Sequence, residues 1–158
     1  MLQKCLIIGV VTIAASLSGC TKPDGSNGPL PTNAPTITLA DEHNQASGGT
    51  IHYSVPPSEN LIVDASSYKI PIPEKLKPKK PKALHLIHGS NDYYRAPWNG
   101  EGKLLLDQKT LEIVKGTSPF SGFKSGETYV VGIGYDSRSP ADNKLGFEVM
   151  WAGLITVK

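Results

Sequence analysis

Beyond residue 35, apolar and polar residues alternate with a period of two along most of this chain. Ile37 and Leu39 are set among Thr36, Thr38 and Ala40, and Ile51, Tyr53 and Val55 among Thr50, His52 and Ser54. Tyr129, Val131, Ile133 and Tyr135 share one side of a run whose other side includes Gly132 and Gly134. Phe147, Val149, Trp151, Ile155 and Val157 continue the alternation. Successive side chains of a strand point to opposite faces, so this spacing predicts strands buried on one side. Residues 83–87 are apolar apart from His85 and read as a more central strand. Residues 103–107 and 110–115 are two more runs, joined as a hairpin by a turn around Asp107, Gln108 and Lys109. Helical periodicity is absent throughout. The 16 glycines and 13 prolines supply turns between short strands. Strands parted by such turns predict a sandwich or barrel, so the expected fold class is all-β.

The first 20 residues follow another pattern. Lys4 gives a positive start, residues 6–17 are a short apolar run, and Leu17-Ser18-Gly19-Cys20 is a small-residue exit. These are the parts of a secretory signal. The apolar run is well short of the roughly 20 residues a membrane-spanning helix needs. Leu17 to Cys20 resembles the lipobox of bacterial lipoproteins. That resemblance implies cleavage before Cys20, a diacylglyceryl thioether on its thiol, and acylation of the new amine. It also implies a cell-envelope address. Thr21 is not the aspartate associated with inner-membrane retention, so the expected site is the outer membrane in a Gram-negative cell. In a Gram-positive cell it is the outer face of the plasma membrane.

Three segments follow: a signal peptide over residues 1–19, a lipidated cysteine and tether over residues 20–35, and a folded domain over residues 36–158. The tether holds Pro23, Pro29, Pro31 and Pro35, two glycines and almost nothing apolar. Such a segment buries too little to offset its ordering entropy. Losing Lys4 with the signal lowers the net charge from +2 to +1. A near-neutral envelope domain is a poor partner for nucleic acid. Cys5 leaves with the signal and Cys20 is committed to lipid, so no internal disulfide is expected and the core alone must hold the domain.

Within the domain, Phe123-Lys124-Ser125-Gly126-Glu127-Thr128-Tyr129 and the alternating strand that follows resemble the turn and F strand of fibronectin type III domains. Similar patterns recur across immunoglobulin-like sandwiches. The resemblance implies a β-sandwich of about seven to eight strands and says nothing of function.

The chemistry on offer is sparse. Leu84-His85-Leu86-Ile87-His88-Gly89 resembles the strand and His-Gly turn beside the oxyanion hole of α/β-hydrolases, but no G-x-S-x-G elbow or crossover helix accompanies it. His85 and His88 are three apart, hence on opposite faces of a strand and unable to chelate one metal readily. Residues 136–143 carry oxygen ligands without the dense alternation of a calcium loop, and read as a solvated loop with an internal Asp–Arg contact. No catalytic residue, metal or cofactor is expected. A histidine beside a carboxylate in a deep pocket would reverse that expectation.

Two features fit binding. Residues 91–100 gather Tyr93, Tyr94, Arg95 and Trp98 in what reads as a loop. These residue types anchor protein interfaces and also stack on sugars. Alternatively, Tyr94 and Trp98 fold back to cap the end of the sandwich. Residues 75–82 carry Lys75, Lys77, Lys79, Lys80 and Lys82, held extended by prolines. They read as a contact for an anionic surface, phospholipid or acidic glycan, or as a solvated connector that discourages edge pairing. The expected function is a lipid-anchored, non-enzymatic binding or scaffolding protein with an envelope protein as partner. The alternatives are a carbohydrate- or peptidoglycan-binding module and a surface inhibitor or exclusion factor acting on lysozyme, phage or conjugation.

Overall fold

The computed structural model describes residues 29–39, 51–138 and 145–158. Cys20, most of the tether and residues 139–143 of the Asp136 segment lie outside the described residues. Among the described residues there are nine strands, more than the alternation alone predicts: β1 (Thr36–Thr38), β2 (Ile51–Val55), β3 (Leu61–Asp64), β4 (Ala83–His88), β5 (Asp92–Pro97), β6 (Lys103–Leu106), β7 (Glu112–Lys115), β8 (Thr128–Arg138) and β9 (Leu145–Val157). They form an all-β sandwich. One sheet has the order β1-β3-β6 and the other the order β2-β9-β8-β4-β5-β7. Pairing is antiparallel except for β1 with β3 and β2 with β9.

The core lies between the sheets. Ile37, Leu61, Val63, Leu104 and Leu106 of the smaller sheet face Leu84, Leu86, Val131, Ile133 and Ile155 of the larger. β3, a continuous apolar run without alternation, is the middle strand of the smaller sheet and is buried along Leu61, Ile62 and Val63.

β6 and β7 are not the expected hairpin: β6 pairs with β3 and β7 with β5, in different sheets. The residues between them form an arch closed by side chains. Asp107 Oδ1 accepts from the backbone of Lys109 and Thr110, and the Thr110 hydroxyl donates to the Leu105 carbonyl at 2.7 Å. The same hydroxyl accepts from the Asp107 amide at 3.0 Å. Thr110→Val removes both bonds, so a loss of about 1–2 kcal/mol is expected. Urea melts would read it as a lower midpoint with unchanged slope.

The alternation expected over residues 147–157 is broken by a bulge. Ile133 is level with Trp151, but Gly134 is level with Val149, leaving Met150 as the extra residue. Val149 therefore turns outward and is 47% exposed while Met150 is buried. Gly134 permits the bulge, since a Cβ there would stand 2.2 Å from the Glu148 carbonyl oxygen.

The two ends of the sandwich are distinct. The chain enters at the end where the Pro35 carbonyl accepts from Ile62. The start of β3, the end of β4, the start of β8 and the Ser58–Phe123 bridge lie at this entry end. The start of β4, the end of β5 and Gly134 lie at the other, tied by bonds from Lys82 to Gly134 and from Trp98 to Lys82.

Candidate functional site

The segment expected as a binding loop is strand β5, and its side chains divide between the two faces of the larger sheet. Tyr94 and Trp98 point inward and belong to the core. The Tyr94 hydroxyl donates to the Ser118 carbonyl at 3.3 Å and the Trp98 indole to the Glu101 carbonyl at 3.0 Å. Tyr93 and Arg95 face outward and are half-buried.

There they meet a buried histidine. His85 lies on the outer face of β4 yet has no exposed surface. Phe147 of β9 covers it, the rings stacked 3.8 Å apart and 9° from parallel. Gly132, level with His85 on β8, makes the room, because a Cβ there would come within 3.0 Å of the Phe147 ring. The Tyr93 hydroxyl lies 2.7 Å from His85 Nδ1, and His85 Nε2 lies 3.3 Å from Asp136 Oδ1. Asp136 is thus inside β8 rather than in a solvated loop. Its other carboxylate oxygen accepts from both the Nε and a terminal nitrogen of Arg95, which also reaches Glu112 at 3.1 Å.

Burial governs the protons. It pushes the His85 imidazole down to about 4, against the pull of the Asp136 charge, so the ring is neutral near pH 7. Burial, then the Asp136 charge, pushes the Tyr93 phenol up to about 12, so it keeps its proton and donates to Nδ1. A neutral imidazole that accepts at Nδ1 carries its own proton on Nε2, facing Asp136. Asp136 holds the Arg95 guanidinium firmly charged.

His88, on the opposite face of β4 as the spacing predicts, lines a second site at the entry end. A cleft of about 170 Å³ is bounded by His88, Asp92, Tyr94, Phe120, Glu127 and Tyr129. His88 Nδ1 lies 3.6 Å from Asp92 and Nε2 lies 3.7 Å from Glu127, with the ring stacked on Tyr129. The Tyr129 hydroxyl is within reach of both Glu127 and the Gly122 carbonyl. The short turn from His88 to Asp92 brings these two level across β4 and β5, the one part of this grouping that the chain order displays. Glu127 comes from much further along the chain.

The lysine segment is less extended than expected, because Glu74–Leu76 forms a 3-10 turn that buries Leu76. All five lysines are exposed. Lys75 pairs with Glu148 and Lys77 with Glu74. Lys79 and Lys82 both reach the ring of Tyr135, at 4.5 and 4.9 Å from its centroid.

Among the described residues, no group of three or more His, Cys, Asp or Glu is placed to hold a metal ion. No helix there is long and apolar enough to cross a membrane. Comparison with protein-family models, curated proteins and solved structures returns no match to this chain.

Proposed function

We propose that this chain is a lipid-anchored, non-enzymatic binding protein of the bacterial cell envelope. Cys20 holds it to the membrane, and the outer face of the larger sheet engages another envelope protein. The observation that carries this reading is a row of side chains across that face. Leu154, Val130, Ile87 and Tyr93 stand level on β9, β8, β4 and β5. Val130 is 43% exposed, and Val149 lies further along the same face. Apolar side chains set together on a surface are the usual material of an interface. Arg95 and Tyr93 beside them are fixed by Asp136 and His85, so little side-chain freedom is lost on docking.

The buried histidine site supports a binding role. His85 has its carboxylate, but Phe147 seals it and the Tyr93 hydroxyl occupies its Nδ1. His88, partly exposed, faces a carboxylate at each nitrogen.

The sandwich type fits the immunoglobulin-like class. The order β9-β8-β4-β5 follows the arrangement of the G, F, C and C′ strands, and β3 with β6 that of B and E. Tyr129, near the start of β8 and bonded back to Gly122, takes the place of the tyrosine corner.

A photocrosslinking residue at Val149 in lipidated protein in its native cells is expected to capture one envelope protein. Val130→Glu should abolish that capture without unfolding the domain. Cys20→Ala should move the protein from the membrane to the soluble fraction. Recovery of wall glycan alone would favour the carbohydrate-binding alternative. Altered sensitivity to lysozyme, phage or mating on deletion, with normal growth, would favour the exclusion factor.

A further inference from the structure

We propose that the lysine segment at the end of the sandwich opposite the chain entry is a binding site for an anionic polysaccharide, one bearing carboxylate or phosphate groups. The proposal rests on the envelope reading only for where such a polymer is met.

The first observation is an unbalanced gathering of charge. Lys79 and Lys82 bring their ammonium groups to the same Tyr135 ring. The ring face attracts each cation, but the two cations repel one another. Lys75 and Lys77 each have a glutamate. Among the described residues, no carboxylate is within ion-pair reach of Lys79, Lys80 or Lys82. An anionic group seated beside Lys79 and Lys82 would supply a counter-charge that no described carboxylate provides.

The second observation is position. The segment joins β3 to β4 at the end where Lys82 bonds to Gly134, whereas Pro35 enters beside Ile62 at the other. β4, six residues long, separates the ends by about 20 Å. Screening at physiological salt extends only about 8 Å, so the two ends are electrostatically independent. A domain standing on its tether presents the lysines away from the anchoring membrane. That favours a polymer reached at a distance over the headgroups beneath.

The third is fit. Lys79, Lys80 and Lys82 are exposed and near one another in the chain, and Pro78 and the buried Pro81 limit the backbone freedom lost on binding. A linear polymer with repeating charges matches such a run of lysines.

The test uses the full chain, with and without Cys20→Ser, and polygalacturonate as the probe. Phosphatidylglycerol vesicles and neutral dextran run alongside. Lys79→Gln/Lys80→Gln/Lys82→Gln is expected to weaken polygalacturonate binding by roughly a hundredfold, taking about 1 kcal/mol for each lysine. Lys109→Gln/Lys124→Gln/Lys158→Gln removes the same charge at other exposed positions and should weaken it less than threefold. Circular dichroism should be unchanged in both, since all six side chains are exposed. Equal losses in the two triple variants would overturn the proposal, as would no binding to polygalacturonate. Binding to the vesicles but not to the polymer would assign the lysines to a lipid surface instead and overturn it too. Intact mass of the same preparations reads acylation at Cys20. Failure of the lipid anchor is thereby seen separately from failure of the lysine site.

Discussion

Phe123→Ala is expected to destabilise the sandwich by about 4 kcal/mol. Phe123 is 2% exposed and sits edge-on to two other rings, Phe120 and Tyr129, each 5.0 Å away. Its backbone exchanges two hydrogen bonds with Ser58, tying residues 118–124 to the connection between β2 and β3. Alanine would leave a cavity the size of a ring between the sheets. Neighbouring Gly122 cannot shift to fill it: its φ is +96° and its Cα faces the Ser58 carbonyl. A domain this size is typically stable by about 5–15 kcal/mol, so the variant would lose a large fraction of its margin. The cleft around His88 should loosen as well, because Phe120 and Tyr129 line it. Val130→Ala, at an exposed site, should cost under about 0.5 kcal/mol. Denaturant melts of the two variants provide the check, and equal midpoints would sink this account of the core.

Acid should weaken the fold through His85. The unfolded chain binds a proton on this ring at the ordinary 6.5, whereas the folded one resists until about 4. Between these values the unfolded state holds more protons, so stability falls as pH falls. The contribution is fully present above pH 6.5 and gone below about 4. Its slope approaches about 1 kcal/mol per pH unit. Tyr93, Arg95 and Asp136 are the polar groups against the ring: Asp136 favours the imidazolium, Arg95 opposes it, and burial under Phe147 outweighs both. His85→Gln should flatten the pH dependence in this window relative to the parent. A parent and variant with the same slope would place the cause elsewhere.

The outer-face cluster explains what the chain order does and does not reveal. β2 and β8 are legible from their alternation and β4 from its short apolar run, which are local properties. β5 is not, since Tyr93 and Arg95 look like loop residues until their partners are known. Asp136 is 41 positions from Arg95 and comes within reach only when β8 pairs with β4. β3 was hidden for the opposite reason: Leu61, Ile62 and Val63 show no alternation. The turn after β6 is visible in Asp107 and Thr110, but whether it closes a hairpin or crosses between sheets depends on β3 and β5. The likeness of residues 123–133 to a fibronectin F strand points to a sandwich, and the nine-strand fold is one. The lysines of residues 75–82 are conspicuous in the sequence, but their distance from the chain entry is a property of topology.

That topology also sets when the domain can form. β9 lies between β2 and β8, so β2 has no neighbour in its sheet until the sandwich's final strand has been made. Contacts so distant along the chain close slowly. Placing an interior strand last among the described strands withholds the finished fold until residues 145–157 have been made.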